Sequence, residues 1–163
     1  MSQALHLIDS LTLGGAQRVL KTYFESDQNN QSLHLFSLRD VDTPVIIDHQ
    51  NVTVVKSRGK YSLKPLLDVF KLVKSEEIAY VHCHLFRAQI FGLLVKIGVR
   101  RRFRLIFHEH GRVVGREYES NLERVAFRIF ISISHRWVDQ YICNSKLTKD
   151  CLTPLISSIR VIN

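Results

Sequence analysis

Two glycines and two histidine pairs are the residues of this chain best suited to chemistry. Gly14 and Gly15 sit in Leu5-His-Leu-Ile-Asp-Ser-Leu-Thr-Leu-Gly-Gly-Ala-Gln-Arg-Val-Leu20. An apolar run ends near Asp9, a short loop follows, and the glycines open a stretch with helical periodicity. The spacing predicts a strand, a glycine turn and a helix start. Glycine lets backbone approach a ligand with no Cβ in the way. The first turn of a helix carries unpaired N–H groups and a partial positive charge. Together they suit phosphate or another anion. A tight turn that binds nothing fits the same residues, because the stricter G-x-G-x-x-G spacing is absent.

The histidines form His82-Cys-His84 and His108-Glu-His110-Gly111. Residues i and i+2 of a strand share a face, so each pair could offer two imidazoles to one metal ion. A metal hydrolase would also need carboxylates, and Glu109 points away from its flanking histidines. Asp9 is the only carboxylate at the end of a neighbouring strand. Taken singly, a histidine at a strand end can donate a hydrogen bond, act as a base or wall a sugar site. Gly111 marks the chain turning away, which exposes His110. His82, earlier in its strand, reads as a structural histidine.

The elements that must position these residues follow from periodicity. Strand-like runs are Ala4–Asp9, Ser32–Leu38, Val52–Val55, Ile78–His84, Arg104–His110, Gln140–Ser145 and Ile159–Ile162. Four apolar stripes with helical spacing lie among them. They are Ala16, Val19, Leu20, Tyr23 and Phe24; Leu63, Leu66, Leu67, Phe70 and Val73; Phe86, Ile90, Leu93, Leu94 and Ile97; and Tyr118, Leu122, Val125, Ile129, Ile133 and Trp137. Ser62 is the expected N-cap of the second helix. Around Phe127–Ile133 the fourth stripe is rich in β-branched residues and also fits a strand. The alternation predicts an α/β, Rossmann-like three-layer domain, with a mainly parallel sheet and helices on both faces. Ligands of such a sheet bind beyond the carboxyl ends of its strands. Asp9, Gly14, Gly15, His84, His110 and Asn144 therefore belong to one end.

A chain of 163 residues reads as one domain, 1–163, with 45% hydrophobic and 23% charged residues. No apolar run is long enough to span a bilayer, and no signal-peptide pattern opens the chain. Three scattered cysteines, Cys83, Cys143 and Cys151, fit a reducing, cytoplasmic setting. The net charge of +8 points to an anionic partner. Lys96, Arg100, Arg101, Arg102 and Arg104 form a basic run that fits either a solvated loop or an anionic membrane surface. Nucleic acid is disfavoured, because Phe103 is the only stacking aromatic in that run.

The ordered set Leu-Gly-Gly-Ala-Gln-Arg-Val-Leu, Val-His-Cys-His-Leu, Phe-His-Glu-His-Gly, Tyr-Ile-Cys-Asn-Ser-Lys and the closing Ile159-Arg-Val-Ile-Asn163 resembles the N-terminal domain of family 4 retaining glycosyltransferases. The resemblance covers nearly the whole chain. It implies the GT-B architecture, with two Rossmann-like domains facing across a cleft. It implies that this half binds a glycan or lipid-linked acceptor, while most of the nucleotide-sugar donor belongs to a C-terminal half. Gly14 and Gly15 would approach the donor phosphates, and His110 would lie at the reacting centre. Asp9, Glu109 and Arg112 are candidates for acceptor contact. Arg100, Arg101 and Arg102 are candidates for contact with the inner membrane face. The resemblance implies no metal and no other cofactor. Because the C-terminal donor domain is absent after Asn163, the isolated chain is expected to be inactive. A non-catalytic nucleotide- or anion-binding module and a His-ligated metal hydrolase are the alternative functions.

Overall fold

A computed structural model describes residues 3–27, 30–56, 62–99, 102–110, 121–156 and 160–162. Among these residues seven strands form one sheet: β1 (Gln3–Ser10), β2 (Leu33–Arg39), β3 (Val52–Val54), β4 (Ile78–His84), β5 (Arg104–Glu109), β6 (Gln140–Cys143) and β7 (Arg160–Ile162). Their order is β3-β2-β1-β4-β5-β6-β7, and every pairing is parallel. The helices are α1 (Gly15–Ser26), α2 (Lys64–Ser75), α3 (Phe86–Gly98), α4 (Asn121–Ser134) and α5 (Lys146–Leu152), with a short 3₁₀ turn at Thr153–Leu155. The α/β, Rossmann-like reading holds. The segment around Phe127–Ile133 is helical, not a strand.

The helices are shared unequally between the faces. One face presents Leu5, Leu7, Phe36, Leu38, Val81, Cys83, Leu105, Phe107 and Tyr141 to α2, α3 and α4, in one continuous core. On the other, α1 packs Ala16, Leu20 and Phe24 on Ile8, Leu33 and Leu35, helped by Ile47 from the β2–β3 connection. Strand pairing then carries that second face sideways, from Ala4, His6 and Ile8 to Tyr80, His82 and His84, and on to Arg104, Ile106 and His108. Four imidazoles, His6, His82, His84 and His108, stand there among the aliphatic Ala4, Ile8 and Ile106.

Helix faces differ from the periodic stripes. In α4 the buried residues are Phe127, Ile131 and Ser134, while Leu122, Val125, Ile129 and Ile133 point outward. Tyr118 lies outside the described residues. In α3, Ala88, Phe91, Gly92 and Val95 meet the sheet, whereas Leu94 and Ile97 are exposed. Both helices are apolar on more than one side, so periodicity alone does not say which side is buried. The N-cap position of α2 is Leu63; Ser62 Oγ accepts from the Lys64 amide at 3.4 Å. Cys83 and Cys143 are buried free thiols that act as small core residues.

Gly92 lets α3 lie close on β4. A Cβ there would stand 2.3 Å from Cys83 Sγ and 3.1 Å from Leu105 Cδ1. Gly92→Ala is therefore expected to cost about 1–3 kcal/mol of unfolding free energy, and Cys83→Ala in the same chain to recover part of it. Urea denaturation of the two single variants and the double variant checks this. Strict additivity would remove the proposed clash.

Candidate functional site

The carboxyl ends of β1, β4, β5 and β6 meet at one edge of the sheet. Gly14, Gly15, Gln17, Leu85, His108, His110 and Asn144 line a cavity of about 400 Å³ there. Gly15 and His110, distant in sequence, thus share a wall.

Each part of the wall has a local cause. Gly14 is extended, with φ −170°, so neither the turn nor α1 demands glycine for its dihedral angles. Space demands it instead: a Cβ on Gly14 would lie 2.6 Å from Gln17 Oε1. Gln17 is buried and fixed, donating from Nε2 to the Ser10 carbonyl at 2.9 Å. A Cβ on Gly15 would meet nothing within 4 Å, so that position opens onto the cavity. No side chain caps α1, and its first turn holds no acid. Its amides keep the positive end of the helix toward this space.

Leu85 follows His84 with φ 70° and ψ 157°, the only non-glycine residue with positive φ among those described. That region is essentially reserved for glycine and costs about 1–3 kcal/mol. It turns the chain sharply from β4 into α3 at the cavity wall. Across the site, Ser145 caps α5 by accepting from the Thr148 amide at 3.2 Å.

The histidines converge beyond what either pair predicts. His6 Nδ1 lies 3.1 Å from His84 Nε2, and His84 Nδ1 lies 3.2 Å from His110 Nε2. His82 and His108 stack beside this row, with ring centroids 5.3 Å apart. Burial makes charging these rings costly. It lowers His6 and His110 to about 4, helped by repulsion from His108. Burial first, then the other histidines, push His82 and His84 well below the ordinary imidazole range. Near neutral pH the row is uncharged.

The other expected site residues scatter. Asp9 is at the end of β1 but is held by Arg39, with Nη2 at 2.9 Å, and by Arg87, with Nη1 at 3.1 Å. Arg87 also donates to the Ser62 carbonyl at 3.0 Å. Glu109 projects to the opposite face, where Gln89 Nε2 donates to it at 2.7 Å. Neither carboxylate lines the glycine–histidine cavity. Gly111, Arg112, Arg100 and Arg101 lie outside the described residues. Arg102 is exposed. Lys96 in the same basic run is occupied by the Phe103 carbonyl and by Asp139 at 3.0 Å. Sequence reasoning missed His6, Leu85, Arg39 and Arg87. Only a lone imidazole inside an apolar run marked His6.

The sequence profile of Glycosyltransferase Family 4 matches residues 14–163. The chain belongs to glycosyltransferase family 4. Its fold is α/β and Rossmann-like, as in glycosyltransferases of GT-B architecture. HepE of Anabaena, solved with UDP-glucose, superposes with a TM-score of 0.73 at 16% identity, over 99% of this chain and 43% of that one. Sucrose-phosphate synthase from Thermosynechococcus elongatus gives 0.67 at 13% identity, over 98% and 47%. The lipopolysaccharide outer core galactosyltransferase WaaB gives 0.64 at 11%, over 97% and 43%. The family 4 chain described here therefore spans less than half the length of each of these structures. No curated protein matches its sequence.

The neutral histidine row has a consequence for stability. An unfolded chain takes up protons on these imidazoles as pH falls below about 6.5, while the folded chain does so only nearer 4. The unfolded state then binds more protons, so stability falls as pH drops through that window. His6 alone is worth about 3 kcal/mol by its lower end. Denaturation of chelator-treated chain at about pH 7 and about pH 5 should show a clear loss at the lower value. Equal stability at both would mean that the rings are hydrated.

Proposed function

We propose that this chain is the acceptor-side half of a retaining glycosyltransferase that moves a sugar from a nucleotide-sugar donor to a glycan or lipid-linked acceptor. The observation that carries the reading is the shared cavity of Gly14, Gly15 and His110 at the carboxyl edge of the sheet. UDP-glucose in the HepE structure supports the donor class. Further polypeptide supplies the donor half, and this chain alone transfers no sugar. Holding both substrates in register supplies about 7–11 kcal/mol of such a barrier, and one wall cannot do it.

The roles follow from the geometry. Amides at the open start of α1 would stabilise negative charge on the departing nucleoside diphosphate. His110 is uncharged, so it would act by hydrogen bond, aligning the donor sugar or the acceptor as positive charge develops at the anomeric carbon. Asp9 and Glu109 hold the strand ends through their arginine and glutamine partners rather than reaching an acceptor. The metal-hydrolase alternative lacks support, because the histidine triads contain no carboxylate among the described residues.

In the two-domain enzyme, His110→Ala should lower kcat by about 100-fold or more with the fold intact by circular dichroism. Gly15→Ala should keep the wild-type Tm and lower kcat/KM by about tenfold or more. Wild-type turnover in both variants would remove this cavity from the reaction.

The acceptor side would meet an anionic bilayer. The exposed row Leu122, Val125, Ile129 and Ile133 of α4 runs beside exposed Arg124 and Arg128, an arrangement suited to an interface. No helix among the described residues is long and apolar enough to cross a membrane. Co-sedimentation with anionic vesicles at physiological salt should be strong for the chain and weak for Arg124→Glu/Ile129→Asp. No wild-type binding would end the membrane reading.

A further inference from the structure

We propose that His6, His82 and His84 form a binding site for one divalent transition-metal ion of the zinc class, on the sheet face beside α1. The site is built by strand pairing. His6 of β1 is the register partner of His82 of β4, and His84 lies two residues further along the same face. The three side chains offer ligand atoms that all lie within 4.8 Å of one another. His6 Nδ1 and His84 Nε2 are 3.1 Å apart, close to the edge of about 3.3 Å expected between two nitrogens of a tetrahedral zinc site.

A second observation points to a ligand. His82 Nε2 is buried and has no hydrogen-bond partner. A buried polar atom left unpaired costs about 1–3 kcal/mol, and an ion between the three rings removes that cost. A cavity of about 380 Å³ adjoins them, lined also by Val19, Tyr23 and Tyr80. It gives an ion a way in and leaves the fourth coordination position to water or a small anion. A neutral all-imidazole set selects Zn²⁺, Cu²⁺, Ni²⁺ or Co²⁺ over Mg²⁺ and Ca²⁺, which require oxygen.

His84, His108 and His110 make a second triad. His84 Nε2 faces His6, and only its Nδ1 faces His110. His6, His82 and His84 are all held inside paired strands, whereas His110 lies past the end of β5. We therefore assign the ion to the first triad. With Nε2 on the metal, His84 keeps its proton on Nδ1 and donates it to His110 Nε2. The ion would then fix the tautomer of the cavity histidine without touching the cavity.

The test uses the whole chain stripped with chelator and titrated with Zn²⁺ by calorimetry and with Co²⁺ by visible absorption. Expected are one ion per chain, micromolar or tighter binding, the intense d–d bands of four-coordinate Co²⁺, and a Tm that rises with Zn²⁺. His6→Asn and His82→Gln, each checked by circular dichroism, should abolish stoichiometric binding, whereas His110→Ala, which removes only the outer partner of His84, should keep one ion per chain at weaker affinity. Absence of stoichiometric binding by the wild-type chain overturns the site whatever the variants do. Binding lost in His110→Ala but kept in His6→Asn overturns the assignment in favour of the second triad. Binding undiminished in all three variants overturns the site.

Discussion

The register of β1 against β4, and of β4 against β5, is the constraint on which the rest of the structure depends. A parallel ladder sends alternate residues to opposite faces. In these three strands one parity is apolar and the other carries imidazole. Leu5, Leu7, Val81, Cys83, Leu105 and Phe107 meet the helices on one side. His6, His82, His84 and His108 line the other, which α1 covers over only part of its width. A slip of one residue in either pairing would drive imidazoles into the aliphatic core and leave leucines facing the cavity. Burying the first face thus fixes the histidines on the second without any interaction of their own.

The same ladder explains the work of the charged residues near the sheet edge. Asp9 sits where β1 ends and ties together Arg39 from the end of β2 and Arg87 from the first turns of α3. Arg87 also lies over the Phe91 ring, at 5.1 Å. This clamp joins β1, β2 and α3 near the carboxyl edge of the sheet. It is only partly exposed, and it fixes the geometry where the three elements meet. The strained backbone of Leu85 sits on the same connection from β4 into α3. Gly15 is left as the open position of the cavity wall.

The strands were legible because a sheet buried on both faces writes itself as apolar runs. Six of the seven predicted runs match the observed strands within one residue at each end; the sixth strand ends two residues early, where Asn144 and Ser145 turn into α5. The glycine turn was legible because two glycines between an apolar run and a helical stripe have few other uses. The burial of α3 and α4 was not. Ile129 and Ile133 look as core-like as Phe127 and Ile131, and only the sheet decides between them. Nor could spacing show that Asp9 was already engaged, since Arg39 and Arg87 reach it from distant segments. His6 was hidden for a related reason. A single imidazole in an apolar strand has no meaning until its neighbour across the ladder, His82, is known.

On the proposed function, the neutrality of the histidine row limits what this chain contributes to handling a diphosphate. Rings held near 4 by burial carry no charge at neutral pH, so His110 cannot serve as a cation toward phosphate. Arg87 and Arg39 are turned to Asp9. Among the described residues, what faces the cavity is the partial charge at the start of α1, about half an elementary charge. A nucleoside diphosphate bears several negative charges, and full cations close to it would be needed to offset them. On the proposed function those cations belong to the other half of the enzyme. The glycine wall would then act on charge only as it shifts during bond cleavage, where a fixed dipole requires no reorganisation. The neutral histidine suits the opposite need. An imidazolium beside an anomeric carbon gaining positive charge would oppose the reaction, and an uncharged ring does not.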